Sequence, residues 1–361
     1  MLNYHGKTYV HAARRRCTVL KKVGVITMFI CAMTNAAYCC TVFTASVGDT
    51  VLFGNNEDAP ERDSYAWFYP ATETEHGGVY FGFGGYYVQG GMNDQGLCFD
   101  ITTVPELKMR PHPEKSSTLN FGRRALERCA TVEEVIQLVD QYNLSHMGMA
   151  QFLFADKTGD SVIVCPGVDG EMKTIRKEGV YQVITNFNVT YPQLGGYPCW
   201  RHKTVVEKLE KIESEEDITV GRFATILKAV QQGTAYSTIY DLPKGIVCLF
   251  NQQNFSEVVV FKLKEELEKG YHSYFIPSLF TREVKFAEKP KSGGSTLSEE
   301  LSEGREQAEV KGSEMTGLDT QPRAPSHPVT VPSSFPLLGA ISIIALILVG
   351  VTLIHKRKSK R

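Results

Sequence analysis

Several things are missing from this 361-residue chain, and each absence removes a class of function. There is no charge bias, since the formal net charge is −1, and no stripe of Lys and Arg crosses its central part. That excludes the electrostatic footprint of a nucleic-acid binder. No Cys-x-x-Cys pair and no His-Glu-x-x-His motif occurs, and the nine histidines are dispersed, so no metal site is expected. Gly82-Phe83-Gly84 lacks the third glycine of a phosphate cradle and reads as a turn. Internal repeats are absent as well. No cofactor is therefore expected.

What is present begins at the two ends. Arg14, Arg15, Arg16, Lys21 and Lys22 precede an uncharged run from Val23 to Ala37 and then Tyr38-Cys39-Cys40. Basic, then apolar, then small residues describe a secretory signal, with a signal anchor as the alternative. The run is about 15 residues, short of the ~20 a spanning helix needs. Cleavage after Cys39 frees the α-amine of Cys40. At the other end, Phe335 to Ile354 carries no charge and is followed at once by His355-Lys356-Arg357-Lys358. Length and flank predict one transmembrane helix over 335–354 and a cytoplasmic basic tail over 355–361. Residues 289–334 are rich in Ser, Glu, Lys, Pro and Gly, a composition that reads as a disordered stalk. The expected organisation is a leader and signal over 1–39 and a folded domain over 40–288, followed by stalk, membrane helix and tail. The folded domain is then extracellular or luminal, on a single-pass membrane protein.

Within 40–288 the strand signals are short aromatic or aliphatic runs broken by turns. Val79 to Phe83, Tyr86 to Gly90, Leu97 to Thr103, Met149 to Ala155, Ser161 to Cys165 and Gly179 to Thr185 belong here, as do Ser237 to Tyr240, Gly245 to Phe250 and Glu257 to Phe261. Helices are predicted from about Leu119 to Arg128, from the Thr131 cap to about Tyr142, from Arg201 to about Ile212, and from about Val220 to Gln231. Hairpins interrupted by helix pairs give an α+β fold, antiparallel sheets covered by helices. Of the nine cysteines, Cys98, Cys129, Cys165, Cys199 and Cys248 remain beside Cys40 after signal removal. In an exported protein some could pair, and the bland alternative is core filler. Asn143, Asn188 and Asn254 open glycosylation acceptor triplets. Asn188 is close to Asn186, a poor position for a glycan.

The chemistry gathers around Cys40. Two apolar, β-branched runs flank a Ser46-to-Asp49 turn, and the second ends on Gly54-Asn55-Asn56-Glu57-Asp58. A thiol is a weak nucleophile while protonated and needs a base. An N-terminal cysteine carries its own, because its α-amine titrates at about 7.7 to 8.0 and accepts the thiol proton near neutrality. The hairpin brings Asp58 back beside Cys40, where a carboxylate orients that amine. Asn186, at a strand end, is the type of donor an oxyanion hole uses. Taken singly, Cys40 reads as a buried or disulfide cysteine, Asp58 and Asn186 as turn residues, and Arg201 as a helix-start residue.

Taken in order, these residues resemble the linear-amide C–N hydrolases of the N-terminal nucleophile (Ntn) superfamily. That group includes choloylglycine hydrolase, penicillin V acylase, the acyl-coenzyme A:6-aminopenicillanic acid acyltransferases and acid ceramidase. Cys40-Thr41, an alternating strand and Phe53-Gly54-Asn55-Asn56-Glu57-Asp58 resemble the opening Cys-Thr … Gly-Arg-Asn-x-Asp signature. Gly91-Met92-Asn93-Asp94-Gln95-Gly96-Leu97 is similar to the family's Gly-x-Asn-x-x-Gly-Leu turn, Thr185-Asn186 to its oxyanion Thr-Asn, and Arg201 to its Ser-Arg arginine. The resemblance implies a four-layer αββα sandwich, Cys40 as nucleophile, Asp58 as the carboxylate holding the amine, Asn186 as oxyanion donor and Arg201 near the nucleophile. Asn55, Asn56 and Thr103 are implied on the substrate side. Asn55 stands where the family has arginine, and Asp100, Thr102 and Thr103 stand where choloylglycine hydrolase has a second oxyanion asparagine. The implied activity is hydrolysis of a small linear amide, with an apolar acyl group suggested by the aromatic segments Tyr65 to Tyr69 and Tyr80 to Tyr87, although aromatics at such spacing are more often core. Acyl transfer to an amine and a non-catalytic receptor on the same fold are the rival readings.

Overall fold

In a computed structural model of the chain, residues 40–59 and 63–281 are described. The predicted leader, stalk, membrane helix and tail lie outside them. No helix among the described residues is long and apolar enough to cross a membrane.

The first hairpin sets the frame. Strands β1 (Thr41–Val47) and β2 (Thr50–Asp58) are joined by Gly48-Asp49 alone. Gly48 has a φ of 58°, the left-handed conformation that a two-residue hairpin turn demands and glycine adopts without a Cβ clash. The turn is thus tighter than Ser46 to Asp49. Pairing runs from Val47 with Thr50 down to Thr41 with Asn56, so the next step places Glu57, not Asp58, across from Cys40.

Twelve further strands complete two sheets. They are β3 (Ser64–Tyr69), β4 (Gly78–Phe83), β5 (Tyr87–Asn93), β6 (Cys98–Thr103), β7 (Ala150–Ala155), β8 (Ser161–Pro166), β9 (Met172–Arg176), β10 (Tyr181–Ile184), β11 (Thr234–Asp241), β12 (Ile246–Asn251), β13 (Asn254–Lys262) and β14 (His272–Phe275). One sheet runs β10-β1-β2-β11-β12-β13 and the other β14-β3-β4-β5-β6-β7-β8-β9. Neighbouring strands pair antiparallel, as at β1 with β10, β2 with β11 and β6 with β7.

Side-chain alternation then dictates the layers. Val42, Val51 and Phe53 of the six-stranded sheet share a buried cluster with Phe68, Phe81, Met92 and Leu153 of the other. The intervening residues Phe43, Ala45 and Leu52 pack outward on Val205, Leu209, Phe223 and Leu227 of α3 (Trp200–Leu209) and α4 (Val220–Val230). On the far side, Phe99, Phe152 and Phe154 pack on Phe121, Leu126, Val132 and Val135 of α1 (Phe121–Arg128) and α2 (Val132–Val139). Helices, sheet, sheet, helices is the arrangement, an α+β sandwich as the sequence implied. A short α5 (Leu263–Leu267) follows β13.

Local chemistry accounts for the element ends. Asn120 caps α1 by accepting from the Arg123 N–H at 2.9 Å, which starts that helix after Leu119. Thr131 and Glu134 form a capping box at α2. That helix stops at Val139 rather than Tyr142, because the Gln141 and Tyr142 N–H groups bond three residues back and Asn143 turns away to Ser116. The aromatic segments divide between layers: Phe68 and Phe81 enter the inter-sheet core, whereas Trp67 and Tyr80 join the outer cluster over α1. The outer rings therefore pack as core over α1, the commoner role of aromatics at such spacing. All six described cysteines are free thiols. Asn188 is fully buried, its amide donating to the Pro166 carbonyl at 2.7 Å, which removes it as a glycan acceptor in the folded chain.

Candidate active site around Cys40

β2 is unusual among the strands in ending on five consecutive buried residues of which four are polar, Asn55, Asn56, Glu57 and Asp58. Burying polar groups costs free energy unless they are partnered, so their partners define the site. Alternation sends Asn55 and Glu57 toward the other sheet and Asn56 and Asp58 toward the helices.

On the helix side, Asn56 is held at both ends. Its Nδ2 donates to the Leu227 carbonyl at 2.9 Å and its Oδ1 accepts from Ser237 Oγ at 2.7 Å. It braces α4 to the sheet and turns away from the thiol, which separates it from the substrate side where the resemblance placed it. The Asp58 carboxylate accepts from the Thr234 hydroxyl and from the Gln232 N–H at 3.5 Å. Arg201, in the first turn of α3 and 4% exposed, binds this side of β1. Its Nη1 donates to the Cys40 carbonyl at 2.6 Å and to Thr41 Oγ1 at 2.7 Å, and its Nη2 donates to Asn186 Oδ1 at 2.9 Å. One guanidinium fork thus fixes the backbone of Cys40 and the orientation of Asn186 together. The Asn186 Nδ2 donates to the Thr103 carbonyl at 2.9 Å. The structure brings Cys40, Arg201, Asn186 and Thr103 into one chain of contacts.

The inter-sheet side is different. Cys40, 3% exposed, donates its S–H to Glu57 Oε1 at 3.3 Å. Glu57 pairs in register with Tyr236 of β11, and Asn55 with Thr238. Asn55 Oδ1 accepts from the Thr238 hydroxyl and from its N–H at 3.3 Å. Asn55 Nδ2, Glu57 Oε2 and the Tyr236 hydroxyl are buried with no hydrogen-bond partner among the described residues. Asp100 of β6 enters from the opposing sheet, 1% exposed. A Cβ at Gly90, the pairing partner of Asp100 on β5, would collide with the Asp100 carboxylate. The glycine leaves the space that this carboxyl occupies.

Charge follows from this geometry. Burial pushes the Cys40 thiol well up, and the carboxylates of Glu57, Asp58 and Asp100 push it further, while the Asp58 backbone N–H pulls the other way. Burial raises the Glu57 carboxyl to about 8, with the nearby Asp58 charge adding to the rise. The Asp100 carboxyl is raised by burial and then by Glu57. Two buried acids face one sulfur between the sheets, and neither ionises easily. No group of His, Cys, Asp and Glu able to hold a metal ion occurs among the described residues.

Cys40, Asp58, Asn186, Arg201, Asn55, Asn56 and Thr103 are visible as candidates in the sequence, whereas Glu57, Asp100 and Tyr236 gain a role only in the fold. The signal for Glu57 was present: a two-residue turn at Gly48-Asp49 counts back to a Cys40–Glu57 pair. Asp100 and Tyr236 arrive through sheet packing and the order of β11 beside β2, which no local pattern encodes.

No curated protein matches the chain by sequence. The fold is similar to that of a mutant conjugated bile acid hydrolase from Clostridium perfringens, with a TM-score of 0.52, 18% identity, and coverage of 64% of this chain and 96% of the other. A second variant of that hydrolase gives 0.51, 17%, 65% and 97%. Penicillin V acylase from Agrobacterium tumefaciens gives 0.49, 16%, 63% and 89%. The family model described as acyl-coenzyme A:6-aminopenicillanic acid acyl-transferase matches residues 46–259, more than half of the chain, and the chain belongs to that family.

Proposed function

We propose that the chain is an N-terminal cysteine amidase, cleaving a small linear amide through a thioester on Cys40. The observation that carries the reading is the Arg201 fork, which ties the Cys40 carbonyl to Asn186 at the start of β1. Such a clamp serves a residue whose position must be held after the chain before it is removed. One step beyond the β1–β2 register puts Glu57 opposite Cys40, and Asp58 is the next residue of β2, its backbone bonded at Cys40. Once the nitrogen of Cys40 is a free amine, Asp58 is placed to orient it.

The steps balance without a cofactor. The α-amine takes the thiol proton, and the thiolate attacks the amide carbonyl. The Asn186 amide, released from the Thr103 carbonyl by substrate, donates to the oxyanion. The ammonium then protonates the leaving nitrogen, and water activated by the amine releases the acyl group from sulfur. Passing the acyl group to a second amine in place of water uses the same groups, and the name of the family favours keeping that reading. Added amine acceptors that yield only free acid would remove it. Export, the 335–354 membrane anchor and a luminal or extracellular catalytic domain belong to the same proposal and rest on the sequence. No partner is proposed beyond a small-molecule amide and the membrane itself.

The decisive experiment is the N-terminal residue of the mature protein, read by peptide mass spectrometry. A chain beginning at Cys40 places amine and thiol on one residue. A chain that retains Cys39 has no such amine, and the mechanism fails.

A further inference from the structure

Where the family signature carries arginine, this chain has neutral Asn55, and no cation among the described residues replaces it on the inter-sheet side. The groups facing Glu57 are the Cys40 thiol from β1, the Asp58 backbone beside it on β2, Tyr236 and then Tyr240 from β11, and Asp100 with Cys98 from β6 of the other sheet. Arg201 lies on the opposite face of β1, committed to the Cys40 carbonyl, Thr41 and Asn186. Among the described residues, a thiolate formed here would meet acids and no positive side chain. Yet Glu57 Oε1 is 3.3 Å from the sulfur, and its Oε2 has no partner among the described residues.

We propose that Glu57 is a further catalytic residue, held as the neutral acid by burial opposite Asp100, whose O–H is donated to the Cys40 sulfur when the thiolate forms. This rests on Cys40 being the nucleophile. In the resting state the S–H donates to Glu57. When the α-amine removes the thiol proton, the carboxyl turns its O–H onto the sulfur, and no proton leaves Glu57. The neutral acid supplies the hydrogen bond that a cation would otherwise give. Ionised Glu57 has the opposite effect, placing a negative charge against the thiolate in a dry site. The raised Glu57 carboxyl, at about 8, fits a group that stays protonated at neutral pH.

The test needs no amide substrate, so it can fail separately from the amidase reading. Full-length protein, in whatever N-terminal form it is isolated, is treated with iodoacetamide from pH 6 to 10, and modification of Cys40 is followed by peptide mass spectrometry. Glu57→Gln keeps a neutral donor and Glu57→Ala removes it. Below pH 8 the Glu57→Ala rate is expected to fall roughly tenfold below the wild type, the loss of about one charge-assisted hydrogen bond. Glu57→Gln is expected to track the wild type there and to overtake it above pH 8, where the wild-type acid ionises. Three superimposable profiles, or Glu57→Gln behaving as Glu57→Ala, would overturn the proposal. Should Cys40 resist the reagent in all three proteins, thermal denaturation decides: a neutral buried Glu57 makes the wild-type Tm fall more steeply between pH 5 and 9 than that of Glu57→Gln, and equal slopes overturn it. Release of amine by Cys40→Ala at the wild-type rate would instead sink the amidase reading and leave the titration result standing.

Discussion

The two faces of β2 carry nearly the same residue types and treat them in opposite ways. Toward the helices, both ends of Asn56 are bonded and Arg201 gathers three acceptors. Toward the other sheet, Asn55, Glu57 and Tyr236 each keep a buried polar atom without a partner among the described residues. A fully bonded polar network is a scaffold, and one left partly unbonded at comparable burial costs stability. The chain tolerates that cost beside Cys40, on the face where the proposed chemistry occurs. The strongest way to break the comparison is at the thiol itself. Cys40→Ala is expected to abolish amine release from N-acyl amides, by at least about a thousandfold, with a circular dichroism spectrum like that of the wild type. Residual turnover above a hundredth of the wild type would move the chemistry elsewhere.

The acid face should also respond to pH in a way the helix face does not. Glu57 in the folded chain titrates at about 8, against about 4.3 in an unfolded chain. Between those values the folded state holds the extra proton, so stability is fully present below about pH 4 and is lost as pH rises through 8. Asp100, raised by the same burial, adds to the loss in the same direction. The Glu57 part alone is on the order of 3 to 5 kcal/mol, which for a domain of this size is roughly 10 °C in Tm. Melting at fixed ionic strength from pH 5 to 9 measures it. A Tm that rises across that range would mean both acids are ionised and paired in the fold.

Breaking the scaffold face gives a pH-independent effect. Arg201→Ala leaves the Cys40 carbonyl, the Thr41 hydroxyl and Asn186 Oδ1 without their donor, at about 3 kcal/mol. Arg201→Lys cannot reproduce a fork that reaches three acceptors and should recover only part of that. Urea titration with unchanged m-values would check it. If Arg201→Ala costs under about 0.5 kcal/mol, the clamp is not holding Cys40 in place.

How much of this was legible in the sequence depends on the range of the contact. The β1–β2 hairpin, the Thr131 capping box and the helix over 220–230 follow from local patterns of turn glycine, cap and periodicity. Cys40, Asp58, Asn186 and Arg201 could be named because family order links them across the chain. Strands β3, β9 and β14 escaped, β3 because Tyr65, Trp67 and Tyr69 alternate with Ala66 and Phe68 as two apolar faces, which blurs a period-two pattern. The inter-sheet acids escaped for a different reason. Asp100 meets Glu57 only after two sheets stack, and a polar residue at alternating spacing is ordinarily read as facing water.

The smallest effect is the most discriminating, because it compares neighbouring positions on β11. Ser237 faces the helices and donates to Asn56 Oδ1 at 2.7 Å, whereas the Tyr236 hydroxyl faces the acids with no partner among the described residues. Ser237→Ala removes a made hydrogen bond and orphans Asn56, so a loss of about 1 to 2 kcal/mol is expected. Tyr236→Phe removes a buried hydroxyl that bonds no described residue, and relieves its desolvation, so stability should hold or rise by up to about 1 kcal/mol. Chemical denaturation of the two variants separates the cases. Equal losses at both positions would mean that the Tyr236 hydroxyl is bonded in solution, through ordered water between the sheets, and that the acid face is hydrated rather than dry. The rise in the Glu57 carboxyl would then be smaller, and the pH dependence of stability would shrink with it.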